Sequence, residues 1–292
     1  EAEPQRADVA MYEAKQTRSG YKVYNAAQDR HSTGRLALMG ELRHAIEEKQ
    51  LLLHYQPKVN LQTNRITGVE ALVRWQHPKL GMVPPVQFIL PAEQTGMIKS
   101  LTQWVLQEAL SQSRRWQQDG LRINLSVNLS ARNLQDTVLP GQIARLLQTY
   151  GITPSSLEVE ITESAIMTDE KHARDVLTEI GNMGISISID DFGMGYSSLS
   201  YIKKLAVNRI KIDKSFVESM SVNHDDEVIV RSTINLGHNL GLKVVAEGVE
   251  NQETWNRLVA LGCDEAQGYY MKRPAPAEEL TRWMNEKRSS NG

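Results

Sequence analysis

Residues 51–75 read LLLHYQPKVNLQTNRITGVEALVRW, and the spacing inside this stretch decides the fold. Two β-rich runs, LLLHYQP (51–57) and ITGVEALVRW (66–75), are separated by only eight residues, KVNLQTNR. A parallel crossover needs a dozen or more, so these two strands pair as an antiparallel hairpin. Folding about Gln62-Thr63-Asn64 sets Gln56 across from Glu70 and Ala71, a side-chain amide beside a carboxylate.

Downstream, short β-rich runs alternate with longer amphipathic ones. The strands are RINLSVNLS (122–130), SLEVEI (156–161), SISIDDF (186–192), NRIKID (208–213), LKVVAEG (242–248) and EAQGYY (265–270). Between them lie helical stretches such as LTQWVLQEALSQSRRW, QIARLLQTYG and DEVIVRSTINLGHNLG. Gly120, Gly151, Gly184, Gly241 and Gly262 fall where helices end and a left-handed residue is favoured. With the hairpin this makes eight strands, mostly joined by helical crossovers, and the expected architecture is a closed α/β barrel. Upstream, Leu36, Met39, Leu42, Ala45 and Ile46 recur at helical spacing within residues 34–49, which reads as a linker helix.

Bulk properties narrow the classes. A chain of 292 residues suits one large barrel with an appendage. A net charge of −2 gives no general attraction to nucleic acid or anionic membrane, so no DNA or RNA duplex is expected as a partner. Any nucleotide must then be held by local groups. Cys263 is the single cysteine, which excludes an internal disulfide and a CxxC zinc site and fits a cytoplasmic setting. No apolar run reaches the ~18 residues of a membrane span. The chain does not begin with Met and reads as a piece of a longer protein.

The chemistry-bearing residues sit in or just after the strands: Glu70, Asn128, Glu160, Glu163, Asp190, Asp191, Lys211, Asp213, Glu247, Glu250 and Gln267. In an α/β barrel these strand ends converge on one face, where active sites are built. A single carboxylate at a strand end is more often solvated or caps the next helix. Recurrence on at least five strands makes a shared site the better reading. So many carboxylates together require protonation or bound cations. An all-oxygen set of Glu, Asp and Asn suits Mg²⁺ or Mn²⁺, and the adjacent pair Asp190-Asp191 could bridge two ions.

The motif EALVRW (70–75), followed in order by SVNLS (126–130), EITES (160–164), DDFGMGYSSL (190–199), IKID (210–213), AEGVE (246–250) and QGYYMKRP (267–274), resembles the EAL-domain family of cyclic-di-GMP phosphodiesterases. The family fold is a modified TIM (β/α)8 barrel with an antiparallel first strand, in agreement with the hairpin. The resemblance implies metal-dependent hydrolysis of cyclic-di-GMP to linear pGpG, with two ions of Mg²⁺ or Mn²⁺. Glu70, Asn128, Glu160 and Asp190 would hold one ion, and Asp190 with Asp191 the second. Glu247 would support the second site or act as general base through water, and Lys211 would polarise the attacking water or the phosphate. Arg74 would grip a phosphate, and Gln56, Asp213, Glu250 and Gln267 would complete the pocket. Glu163 would anchor the loop after Asp191, through which a homodimer is expected.

One departure is visible. Met194 stands where the family loop more often carries Thr, which bears on loop behaviour more than on ligation. A catalytically inactive cyclic-di-GMP receptor is the alternative reading, but such domains lose several acidic ligands and this chain has lost none. The first residues, ADVAMYEAK with Gly20 and Tyr24, resemble the tail of a GGDEF domain. The expected organisation is a GGDEF remnant over residues 1–30, a linker helix over 31–49 and the barrel over 50–290, with GGDEF and sensor domains upstream in the parent protein.

Overall fold

The computed structural model describes residues 38–194 and 205–290, with side chains to residue 288. The expectations for residues 1–30 and for the loop from 195 onward lie outside these. Among the described residues ten strands form one sheet: β1 (Leu51–Asn60), β2 (Ile66–His77), β3 (Gly81–Val83), β4 (Asn124–Leu129), β5 (Leu157–Thr162), β6 (Ser186–Phe192), β7 (Arg209–Ile212), β8 (Lys243–Ala246), β9 (Glu265–Ala266) and β10 (Ala275–Pro276). The order β10-β1-β9-β8-β7-β6-β5-β4-β2-β3 closes through an additional β1–β2 pairing. Eight strands thus make a barrel, while β3 extends β2 and β10 extends β1. Strand β1 runs antiparallel to both of its barrel neighbours, β2 and β9, and the other barrel pairings are parallel.

The hairpin has the expected register. Gln56 pairs with Glu70, and Tyr55 with Ala71. The strands differ from their sequence reading mainly at the ends: β1 runs on to Asn60 and β2 to His77, while 265–270 keeps only Glu265 and Ala266 as strand. The chain turns away there because Gly268 packs on the backbone of Val249. Val249 N–H donates to Gln267 O (3.1 Å), and Tyr270 N–H returns to Val249 O (3.0 Å). A Cβ at residue 268 would lie 2.1 Å from Val249 O and 2.3 Å from Val249 N. Gly268→Ala is therefore expected to cost about 2–3 kcal/mol, since backbone, unlike a flexible side chain, cannot yield. Urea unfolding measures this; an unchanged midpoint would mean the turn relaxes freely.

Alternation along the strands divides the barrel into two environments. One face of each strand points outward and is apolar: Leu125, Val127 and Leu129 on β4, Leu157, Val159 and Ile161 on β5, Ile187 and Ile189 on β6, all buried. The helices Ile98–Gln118, Leu139–Tyr150, Glu170–Asn182 and His224–Asn239 cover this face with their own buried stripes. Aromatic side chains anchor it, with Tyr55 edge-on to Trp116 at 4.9 Å and Trp75 edge-on to Phe88 at 5.6 Å. The five glycines read as helix ends all adopt left-handed backbone, with φ from 63° to 86°. Residues 38–47 are helical, with Leu42 and Ala45 fully buried, and Glu41 of this helix pairs with buried His77. No helix among the described residues is long and apolar enough to cross a membrane.

The inward face departs from the usual α/β barrel, whose interior is filled by layers of branched aliphatic residues. Here Gln56, Lys58, Glu70, Ser126, Glu158, Glu160, Ser188, Lys211, Glu265 and Gln267 are all buried. The apolar core lies between barrel and helices, and the barrel lumen is polar.

Candidate active site

The C-terminal ends of the parallel strands carry the predicted residues to one mouth. Glu70 stands on β2, Asn128 on β4, Glu160 on β5, Asp190 and Asp191 on β6, and Lys211 on β7; Glu247 directly follows β8. Lys211, fully buried, is the hub. Its Nζ lies 2.6 Å from Glu160 Oε2, 2.5 Å from Glu247 Oε1, 3.2 Å from Asp190 Oδ2 and 3.7 Å from Glu70 Oε2. Glu70 is held from both sides: Asn128 Nδ2 donates to Oε1 (2.7 Å), and Gln267 Nε2 to Oε2 (2.6 Å). Gln267 also donates to Gln56 Oε1 (3.1 Å), so the amide opposite Glu70 in the hairpin joins the same network.

Asp191 is turned by local backbone. The β6–β7 pairing loses register between Ile189 and Phe192, and Asp191 adopts φ +54°, a left-handed conformation that Asp tolerates better than most residues. Its N–H donates to Asp190 Oδ1 (3.0 Å). The result is that Asp190, Asp191 and Glu247 each present an oxygen within 4.8 Å of the others, a group able to hold a metal ion.

Charge follows from this crowding. Burial, opposed by Lys211 but helped by Asp190 and Glu70, pushes the Glu247 carboxyl up to about 8. Burial together with Asp190 and Asp213 pushes Asp191 up to about 6. Burial and the Glu160 charge also raise Glu70. Burial would raise Glu160 as well, but Lys211 and Lys58 overcome it and hold that carboxyl well below the usual range. The Lys211 ammonium stays charged despite burial because Asp190, Glu160, Glu247 and Glu70 surround it. The mouth therefore has excess negative charge in a desolvated place, the condition under which divalent cations bind.

Beneath the mouth lies a second charged layer that the sequence reading did not single out. Lys58 Nζ donates to Ser126 Oγ (2.6 Å), Glu158 Oε1 (2.6 Å) and Glu160 Oε1. Glu158 in turn pairs with Arg209, whose Nε lies 3.7 Å from Glu265 Oε2. The signal was present in the strands. Each of these residues stands two positions from a predicted one, as in Gln56/Lys58, Ser126/Asn128, Glu158/Glu160, Arg209/Lys211 and Glu265/Gln267, and so shares its face.

The remaining predicted residues surround the cluster. Arg74 is half-buried on β2 and lines a cavity of about 520 Å³ together with Asn128, Leu72, Ile89, Glu93 and Leu101. Asp213 caps the helix Lys214–Ser219 by accepting Ser215 N–H (2.9 Å), and its charge also acts on Asp191. Glu163 is buried and accepts Gly193 N–H at 3.3 Å, at the start of the loop after Asp191. Met194 is partly exposed, with its Sδ 3.7 Å from Ser215 Oγ and outside the carboxylate cluster. Glu250 is exposed, and no hydrogen bond among the described residues ties it to the cluster.

An eight-stranded mixed barrel with a ring of carboxylates around one buried ammonium at its mouth defines an α/β-barrel protein with a cation-ready site. The particular family is equally plain. Residues 39–274 match the family model described as the EAL domain, and the chain belongs to that family. It is 43% identical over 276 residues to the bifunctional diguanylate cyclase/cyclic di-GMP phosphodiesterase MucR of Pseudomonas aeruginosa, covering 94% of this chain and 40% of that protein. It is 35% identical over 278 residues to the cyclic di-GMP phosphodiesterase PdeR of Escherichia coli, covering 95% of this chain and 42% of the relative. The chain thus spans less than half the length of these curated relatives. Among solved structures, the MucR phosphodiesterase in complex with c-di-GMP superimposes with a TM-score of 0.81 at 44% identity, covering 84% of this chain and 99% of that one. The fold and the family implied by the motifs hold.

Proposed function

We propose that this chain hydrolyses cyclic-di-GMP to linear pGpG with two divalent ions, Mg²⁺ or Mn²⁺, and so terminates the signal carried by that dinucleotide. The observation that carries the reading is the convergence of Asp190, Asp191 and Glu247 on one small volume, with Glu70, Asn128, Glu160 and Lys211 packed beside it. Two relatives named as cyclic di-GMP phosphodiesterases and a related structure bound to the dinucleotide support the choice of substrate.

The donor set fits the ions. It consists of carboxylate and amide oxygens without thiol or imidazole, as hard cations prefer. Gln267 Oε1, buried at the site, has no hydrogen-bond partner among the described residues and is placed to accept one from a bound ligand or water. Glu70, Asn128, Glu160 and Asp190 would hold one ion, and Asp190 with Asp191 the other. Bound there, the ions supply the Lewis acidity that makes water nucleophilic at neutral pH and offsets charge on the phosphoryl oxygens.

The chain's own groups do the rest. Glu247, whose carboxyl group lies beside Asp190 and Asp191, is placed to take a proton from the attacking water. Water oxygen bonds to phosphorus as the bond to the ribose 3′ oxygen breaks, leaving a 5′-phosphate, and the departing 3′ oxygen takes a proton from solvent water to become a free hydroxyl. Lys211 Nζ donates toward the developing charge, and the forked guanidinium of Arg74 holds a phosphate. The cavity beside Arg74, walled by Leu72, Ile89 and Leu101, suits a flat base. Glu163 fixes the start of the loop through which two copies would pair. The parent protein would add upstream GGDEF and sensor domains to a cytoplasmic barrel.

Incubation of the chain with cyclic-di-GMP and Mg²⁺ or Mn²⁺, followed by chromatography, tests the reading. Metal-dependent appearance of pGpG is expected. Retention of intact dinucleotide without cleavage would replace the hydrolase with a receptor.

A further inference from the structure

The Glu160 carboxylate is divided between two lysines. Lys211 Nζ lies 2.6 Å from Oε2, on the side of the mouth, while Lys58 donates to Oε1 from below. Glu160 has no exposed surface and Lys58 is 2% exposed, so water does not compete for either contact. The ammonium of Lys58 has three N–H donors, and its three acceptors are Glu160 Oε1, Glu158 Oε1 and Ser126 Oγ. Its position is therefore fixed by three bonds to two other strands, β4 and β5.

Lys58 holds Oε1 on the side away from the mouth, whereas Oε2, although it also accepts from Lys211, faces the mouth and keeps a lone pair for an ion. Resting on the reading of Glu160 as a metal ligand, we propose that Lys58 determines which metal the site accepts: it confines Glu160 to one-oxygen ligation through Oε2. Mg²⁺ and Mn²⁺ take about six single-oxygen contacts in octahedral geometry, whereas Ca²⁺ takes about six to eight and readily uses both oxygens of one carboxylate. Blocking Oε1 removes a contact that Ca²⁺ would gain and that the smaller ions do not need. Lys58 touches neither substrate nor ion in this scheme; it acts by positioning Glu160.

Glu158 separates this role from simple support of the barrel. Glu158→Gln disturbs the same buried layer and loses the charge pairing with Arg209, yet leaves Lys58 on Glu160. Calorimetric titration of Mn²⁺, Mg²⁺ and Ca²⁺ into the full chain is made for the unaltered protein, Lys58→Met, Glu158→Gln and the double variant Lys58→Met/Glu158→Gln. The double variant removes one buried charge of each sign, which keeps the layer's balance, and supplies folded protein should Lys58→Met alone fail to fold. The unaltered protein and Glu158→Gln are expected to prefer Mn²⁺ over Ca²⁺ to the same extent, while both Lys58 variants shift that ratio toward Ca²⁺ by about tenfold or more. An unchanged ratio in the Lys58 variants, or an equal shift in Glu158→Gln, would overturn the inference while the metal site stands. An unaltered protein that binds none of the three ions would instead remove the metal site itself, and this inference with it.

Discussion

Asp190→Ala is expected to lower cyclic-di-GMP cleavage by about 10³-fold or more while the barrel remains folded. Asp190 performs three tasks at once in the structure. Its Oδ2 lies 3.2 Å from Lys211 Nζ, its Oδ1 accepts the Asp191 N–H at 3.0 Å, and it belongs to the cluster with Asp191 and Glu247. Removing it deletes a ligand common to both proposed ions and releases the left-handed backbone of Asp191. A 10³-fold loss corresponds to about 4 kcal/mol of transition-state stabilisation, the scale of one preorganised electrostatic contact in a desolvated site. The fold should survive, because the buried outward residues Ile187 and Ile189 hold β6 in place. Asp190→Asn sharpens the result: an amide oxygen can still accept the Asp191 N–H, but the charge is gone. Turnover is measured by pGpG release and integrity by circular dichroism. Near-normal cleavage by the folded Ala variant would place the chemistry elsewhere.

Legibility of the fold depended on local geometry. Eight residues between two β-rich runs cannot make a crossover, so the antiparallel entry followed directly, and with it Gln56 opposite Glu70. The upper ring of the site was legible because its residues sit at strand ends within contiguous motifs. The lower layer was not, although its residues keep the period of two. Alternation shows that Lys58 and Glu160 both face the lumen, but the stagger of strands around the barrel decides that they meet across about a hundred positions of sequence. The cavity beside Arg74 was hidden for a related reason, since β2, β4 and the helices Pro85–Thr95 and Ile98–Gln118 each contribute part of its wall. The shortened β9 shows the opposite limit. EAQGYY looks like a strand, and only the contact of Gly268 with Val249 ends it at Ala266.

Lys211→Met is expected to destabilise the metal-free protein by about 3–5 kcal/mol at neutral pH, the usual consequence of removing one partner from a buried ionic network. Met keeps the length of the side chain and loses the charge that Glu160, Glu247, Asp190 and Glu70 share. The sign of the pH dependence follows. Glu160 is held below its usual range by Lys211 and Lys58, so it contributes stability above about 4.5 that fades as pH falls. Glu247 is already raised to about 8 and would be raised further without Lys211, so the variant binds more protons when folded and loses stability as pH rises above about 4.5. Both effects make the deficit larger at pH 7 than at pH 4. Mn²⁺ should stabilise the variant more than the unaltered protein, because the ion would then enter a mouth without a competing ammonium. Urea unfolding at the two pH values, with and without Mn²⁺, measures all of this. A deficit that does not vary with pH would mean that Lys211 supports the barrel by packing, and that its charge is not what allows four carboxylates to share one buried mouth.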